Sequence, residues 1–326
     1  PDVALPVKDA AVGCGVIGSG WASRFVLHGV DVAIADPSPD AERIAAEVHA
    51  NSVHAWGELG LPTDRQGSLT IAASIDEAVA DAEFIQESVP ERLELKRSVL
   101  ADIEAAASPD ALIASSTSGF KPTDLQAEMT HPERLVVGHP FNPVYLLPLV
   151  EVVGGERTSL GSVDRAMAVY AAAGMKPLHV RVEIDAFIAD RFLEAVWREA
   201  LWMINDGVAT TSEIDDAIRY GFGLRWAQMG LFETYRVAGG EAGMRHFIAQ
   251  FGEALSWPWT KLMDVPELTD ELIDAVADQS DAQSGHHSIR ELERIRDDNL
   301  AAILLALEGR RWGAGETLAG QRDALG

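Results

Sequence analysis

A histidine and a glutamate in neighbouring apolar runs carry the clearest chemistry in this chain. His139 ends one run and is followed by Pro140-Phe141-Asn142-Pro143, whose two prolines fix the backbone beside it. Glu151 sits inside the next, Leu149-Val150-Glu151-Val152-Val153. A carboxylate flanked by aliphatics is costly to bury unless it is paired, and His139 is the obvious partner. A carboxylate on one imidazole nitrogen sets the tautomer, raises the basicity and aims the other nitrogen at a substrate. The chemistry this pair suits is proton abstraction. Ser118, in Ser115-Ser116-Thr117-Ser118-Gly119, offers a hydroxyl to a reacting oxygen, although serine and threonine are also ordinary turn residues.

A second constellation says what the proton abstraction serves. Gly13, Gly15 and Gly18 form G-x-G-x-x-G between a short apolar run and a helical pattern. The first glycine permits a tight turn, the second lets a pyrophosphate approach the backbone, and the third lets helix and strand pack closely. Val16 and Ile17 lie inside this cofactor-binding turn, and the helix that follows aims its free N–H groups and positive dipole end at an anion. Glycines at a strand end are often no more than a turn, and Asp36 decides between the readings. It closes the run Val30–Ala35, where an acidic side chain reaches a ribose 2′-hydroxyl and repels a 2′-phosphate. Pro37–Asp40 contains no base. NAD rather than NADP is expected.

These residues must be held by alternating elements. The first helix is expected from about Gly18 to His28, with Gly29 as its C-terminal cap. Strands are expected at Val30–Ala35, Leu69–Ala72, Phe84–Val89, Ala111–Ser116, Leu135–His139 and Leu149–Val153, with helices at Pro39–Trp56, Asp76–Asp81, Glu91–Ala107 and Thr123–Met129. Strands alternating with helices imply a parallel sheet covered on both faces. The ligand then lies beyond the carboxyl ends of the strands, where Gly13–Gly18, Asp36, Ser118 and His139 share one rim. From Asp185 onward helical periodicity takes over: a long helix through Phe187, Phe192, Val196 and Leu201, then helices at Thr211, Glu241–Phe251, Thr269–Ala277 and Ser288–Leu307. The expected fold class is α/β. A Rossmann-type, mostly parallel sheet domain over residues 1–183 precedes an all-helical domain over residues 184–326.

The bulk composition narrows the partners. The 326 residues carry a formal net charge of −25, against nucleic acid or an anionic membrane surface, either of which needs a basic face. A single cysteine, Cys14, excludes a disulfide framework and reads as a small buried filler. His286-His287 lacks further ligands at zinc spacing, so no metal site is expected. Without an apolar run of about 20 residues or a signal peptide's apolar core, a cytoplasmic protein is expected.

Taken in order, the glycine turn, Asp36, Glu91 with Lys96, Ser-Thr-Ser-Gly, His-Pro-Phe-Asn-Pro and Glu151 resemble the 3-hydroxyacyl-CoA dehydrogenase family. The resemblance covers nearly the whole chain. It implies that His139 is the general base with Glu151 as its partner, and that Ser118 bonds the substrate oxygen. It also implies that Asn142 holds the site's geometry and that Glu91 and Lys96 lie by the cofactor's ribose and nicotinamide. A homodimer built through the helical domain is implied as well. One position departs from the family: Phe-Ile-Ala-Asp-Arg places Asp190 where the acyl-CoA enzymes carry asparagine. An anion there puts an acyl-CoA substrate in doubt and suits a small cationic one. A cation favours aromatic faces and a carboxylate favours arginine, so Arg225, Trp226, Tyr145, Phe187 and Asp190 are the candidate substrate contacts. The rivals are a 3-hydroxybutyryl-CoA or sugar-acid dehydrogenase and a non-catalytic NAD-binding protein. The scarcity of lysine, with none between Lys176 and Lys261, counts against coenzyme A phosphates, and the presence of both His139 and Glu151 counts against a loss of catalysis.

Overall fold

The computed structural model describes residues 5–325 apart from 65, 239–242, 252–256, 262–266, 268 and 285. Its contacts divide the chain into two compact units: residues up to Ile188 together with those from Arg294 onward, and Ala189–Glu293.

The first unit is a sheet of β1 (Lys8–Val12), β2 (Asp31–Ala35), β3 (Leu69–Ile71), β4 (Phe84–Glu87), β5 (Leu112–Ser115), β6 (Leu135–Pro140), β7 (Leu149–Gly154) and β8 (Lys176–Val180). Its helices are α1 (Val16–Leu27), α2 (Ala41–Glu58), α3 (Ile75–Val79), α4 (Leu93–Ala106), α5 (Pro122–Leu125) and α6 (Leu160–Ala172). The strand order is β3-β2-β1-β4-β5-β6-β7-β8. Pairing is parallel from β3 through β6, antiparallel between β6 and β7, and parallel again between β7 and β8. The chain winds outward from β1 to β3 and then returns to lay β4 on the other side of β1. That reversal opens a crevice at the carboxyl ends of β1 and β4, where such sheets bind ligands.

Both faces of the sheet are covered, so its strands are nearly continuous apolar runs. Ala11, Phe84, Ala114 and Val136 point into one core and Ala10, Ile85, Ile113 and Val137 into the other. Each large aliphatic or aromatic side chain so buried stabilises by roughly 1.5–3 kcal/mol before entropy is counted. α1 is buried along most of its length. Its Trp21 and Phe25 pack with Phe84 and Tyr170 at ring-centre distances of 5.0–6.0 Å. Arg24, also buried, donates to the carbonyls of Val144 at 2.7 Å and Ala173 at 3.0 Å, tying the segment after His139 to α1. α6 and β8 have no counterpart among the expected elements. α6 buries Val163, Ala166, Val169 and Tyr170, and β8 extends the sheet beyond β7.

The structure differs from the expected division at the chain's end. α12 (Ile289–Glu308) begins in the second unit, but from Arg294 it and α13 (Ala314–Leu325) belong to the first. Ala301, Leu304 and Leu318 join Trp56, Leu59, Tyr145 and Leu146 in one apolar cluster. Arg322 donates to the carbonyls of Leu59 and Gly60 while pairing with Glu308. An apolar stripe on a helix reports that the face is buried, not which neighbour buries it.

The second unit contains α7 (Ala189–Asn205), α8 (Thr211–Ala217), a single π turn at Ile218–Phe222, α9 (Gly223–Ala238), α10 (Gly243–Phe251) and α11 (Asp270–Ser284). Thr210 and Glu213 close α8 with a reciprocal capping box. α9 is interrupted at Gly230, whose φ is +71°. Among the described residues no helix is long and apolar enough to cross a membrane.

Candidate active site

The glycine turn joins β1 to α1, and its three glycines meet three different surroundings. Gly13 has φ +102°, and a Cβ on it would lie 2.7 Å from the Ser88 carbonyl. A Cβ on Gly18 would lie 1.8 Å from the Gly13 oxygen, so α1 can close on the turn only without one. A Cβ on Gly15 would meet nothing within 4 Å. The second glycine therefore faces open space above the α1 N-terminus, whose first turn holds no acidic residue. Such a cradle fits a pyrophosphate. Cys14 is buried beneath the turn, with Sγ 3.2 Å from the Ser19 hydroxyl.

Asp36, just past β2, accepts the backbone N–H of Cys14 at 2.6 Å and that of Ser38 at 2.8 Å. A carboxylate has about four acceptor positions, so the two bonds orient it and leave capacity for ribose hydroxyls. Asp36 lines a cavity of about 500 Å³ walled by Ala35, Ala72, Ile75 and Val99, with Arg92 as its one described cation. An apolar slot beside a fixed carboxylate matches the adenosine half of NAD.

His139 and Glu151 meet at 2.9 Å, Nδ1 to Oε2, with His139 5 % exposed and Glu151 fully buried. The other Glu151 oxygen accepts the N–H of Ile188 at 2.9 Å. Phe141 and Phe187 flank the imidazole at ring-centre distances of 4.9 and 5.6 Å. Phe187 lies not on α7, as the periodicity predicts, but in the turn before it. Ala186 and Phe187 there have φ of +60° and +50°, a region that costs a residue with a side chain on the order of 1–3 kcal/mol. That turn brings both the Phe187 ring and the Ile188 N–H to the pair.

His139 lines a second cavity, of about 290 Å³, together with Ile17, Glu91, Lys96 and Ser118. The sheet thus gathers His139, Ser118, Glu91, Lys96 and the start of α1 around one space. Glu91 accepts from the Thr117 hydroxyl and from the backbone N–H groups of Ser118 at 3.2 Å and Gly119 at 3.1 Å, fixing the loop that presents Ser118. Lys96 is 1 % exposed and bonds Glu87 at 2.9 Å, the Val89 carbonyl at 3.0 Å and Glu91 at 3.4 Å. Glu87 is absent from the expected site residues. It is fully buried and also accepts from Ser115 and from the Val89 N–H. Its only signal in the sequence is an acid ending an apolar strand, the same signal that marks Glu151.

The remaining candidates are divided between the two units. Asn142 is exposed on the segment after His139. Tyr145 is turned away from the cavity: it is buried in the cluster with Trp56, and its hydroxyl donates to Asp297 at 2.5 Å. Burial pushes its phenol well above the ordinary value, with Asp297 adding to the shift. Asp190, Arg225 and Trp226 belong to the second unit. Asp190 is half-buried in the first turn of α7, Arg225 is exposed, and Trp226 packs on Phe222 at 4.6 Å.

A doubly wound sheet with a glycine cradle at its switch point, followed by a helical region, defines a Rossmann-type nucleotide-binding protein with a helical second part. Residues 8–184 match the 3-hydroxyacyl-CoA dehydrogenase NAD binding domain and residues 187–277 match that family's C-terminal domain. The chain belongs to the 3-hydroxyacyl-CoA dehydrogenase family. It is 64% identical over 313 residues to an L-carnitine dehydrogenase/betainyl-CoA thioesterase of Agrobacterium fabrum, covering 96% of this chain and 64% of that protein. The chain thus spans just under two thirds of that relative's length. It is 62% identical over 316 residues to an L-carnitine dehydrogenase of Mesorhizobium japonicum, covering 94% of this chain and 86% of the other. Among solved structures, an NAD⁺-dependent 5-formyl-3-hydroxy-2-methylpyridine 4-carboxylic acid 5-dehydrogenase superposes with a TM-score of 0.79 at 27% identity, over 93% of this chain and 99% of that one.

Proposed function

We propose that this protein oxidises the 3-hydroxyl of L-carnitine to 3-dehydrocarnitine with NAD⁺. The observation that carries the reading is the His139–Glu151 pair on the wall of a cavity it shares with Ser118, beside the glycine cradle. The relatives named L-carnitine dehydrogenase support the choice of substrate.

NAD⁺, when bound, accepts the hydride from the carbinol carbon, and the protein supplies position and proton management. Glu151 holds the Nδ1 proton of His139, so the basic lone pair resides on Nε2. That nitrogen takes the hydroxyl proton as the carbonyl forms, and the carboxylate stabilises the resulting imidazolium. Ser118 hydrogen-bonds the same oxygen. Phe141 and Phe187 shield the imidazole from water. For the trimethylammonium group we assign Trp226 and Asp190, and for the carboxylate Arg225, on the chemistry of their side chains. Tyr145 is not assigned a contact, since it is buried beside Trp56 with its hydroxyl on Asp297.

The test is NADH formation from L-carnitine, run against 3-hydroxybutyryl-CoA and gulonate. A kcat/KM for L-carnitine at least about 1,000-fold above either supports the reading, since that ratio exceeds the roughly 10- to 200-fold that one ordinary pocket contact supplies. Preference for the thioester overturns it. We also propose a homodimer through the helical region. Phe192, Leu193 and Trp197 on α7 are all more than half exposed, which is unusual for a monomer's surface. Sedimentation as a monomer at micromolar concentration would exclude the dimer.

A further inference from the structure

A buried chain of hydroxyl and amide groups runs beneath the cavity that holds His139. Gln86, on β4, places its Nε2 3.4 Å from the Gly138 carbonyl and 2.8 Å from the Ser116 hydroxyl, while its Oε1 lies 2.7 Å from the Tyr170 hydroxyl. A backbone carbonyl can only accept, so the Gln86 amide nitrogen must face Gly138, and Tyr170 must donate to Oε1. Ser116 also receives the indole N–H of Trp21 at 3.1 Å, and an indole nitrogen can only donate. Both Ser116 lone pairs are then occupied. Among the described residues its one remaining hydrogen-bond neighbour is the Ser88 hydroxyl at 2.8 Å, which therefore receives its proton.

This fixes Ser88. Its oxygen accepts from Ser116, and among the described residues its own proton has no protein acceptor. Ser88 and Ser116 both line the cavity of about 290 Å³ with His139 and Ser118. Ser88 also lies directly under the glycine turn, where a Cβ on Gly18 would meet its Cβ at 3.3 Å. We infer that the Ser88 hydroxyl is a preset hydrogen-bond donor to a carbonyl or carboxylate oxygen of the molecule that fills this cavity, making Ser88 a specificity-determining residue. The inference rests on the proposed reaction for the two sources of that oxygen: the nicotinamide carboxamide and the substrate carboxylate.

The experiment compares the parent protein with Ser88→Ala and Ser88→Cys, the thiol retaining bulk while donating weakly. Three quantities are read: NADH affinity by fluorescence titration, KM for L-carnitine, and the preference for NAD⁺ over its thionicotinamide analogue. If the oxygen is the cofactor's, Ser88→Ala weakens NADH about 3- to 10-fold, the value of one neutral hydrogen bond, and the preference against the thioamide disappears. If it is the substrate's, NADH affinity holds and KM for L-carnitine rises by a similar factor. All three quantities staying within about twofold in both variants overturns the inference. A parent that binds NADH but leaves L-carnitine untouched refutes the proposed substrate instead. The NADH comparison then decides Ser88 alone, an unchanged affinity counting against it.

Discussion

His139 and Glu151 are direct cross-strand partners in the antiparallel β6–β7 register. Residues opposite one another in such a ladder share a face, so the 2.9 Å contact follows from the pairing itself. A one-residue slip would send one of the two to the other face of the sheet. The neighbouring position enforces the register from below, because a Cβ on Gly138 would lie 1.8 Å from the Tyr170 hydroxyl.

His139→Gln should lower kcat by roughly 10²–10⁴, the usual value of a positioned general base. Glu151→Gln should lower it too, and the double variant should lose less than the product of the two. Independent, multiplicative losses would mean that Glu151 only supports the sheet.

Asp36→Ala should reduce kcat/KM for NAD⁺ by a factor equivalent to about 1.5–3 kcal/mol, the value of hydrogen bonds to a charged acceptor. The ratio of NAD⁺ to NADP⁺ efficiency should shrink as well, since Arg92 remains on the cavity wall without the opposing anion. An unchanged ratio would show that Asp36 serves only the Cys14 and Ser38 N–H groups.

Lys96 and Glu87 form a buried ion pair. Lys96→Met leaves the Glu87 charge without its cation, which should cost about 3–5 kcal/mol of stability in a urea titration. Adding Glu87→Leu should recover part of that loss. A double variant less stable than Lys96→Met alone would contradict this account.

Asp9 on β1 is 2 % exposed, and neither carboxyl oxygen has a hydrogen-bond partner among the described residues. Burial holds its pKa well above the ordinary value. The unfolded chain loses this proton near pH 4 while the folded chain keeps it, so between the two pKa values the unfolded state binds fewer protons and stability falls as pH rises. Asp9→Asn removes that dependence. The gain in its melting temperature over the parent should grow from about pH 4 toward neutrality. A gap that is constant or narrows with pH would show that Asp9 ionises normally.

Trp226→Ala should raise KM for L-carnitine with little change for NAD⁺, by the factor equivalent to a cation–π contact of about 0.5–2 kcal/mol. Asp190→Asn should act in the same direction. Equal KM values in both variants would place the trimethylammonium contacts elsewhere.

Local chemistry made much of this protein legible in its sequence. Gly13, Gly15 and Gly18 are legible because a backbone turn tolerates few alternatives, and Asp36 because it must end a strand at a set distance from them. His139 and Glu151 are legible as partners because a carboxylate among aliphatics needs one, whereas the antiparallel pairing that sets them opposite each other came only with the structure. The alternation of runs and helical patterns specifies the mostly parallel sheet, since both covered faces must be apolar. What only the tertiary structure decided are pairings between distant segments of similar local character. Tyr145 finds Asp297 on α12, and Gln86 links Tyr170 to Ser116. The return of α12 and α13 to the first unit belongs with these. An apolar stripe or a lone polar residue in a strand states a need for burial or for a partner. Which partner meets that need depends on how the chain closes around it, and residue spacing along the chain does not contain that information.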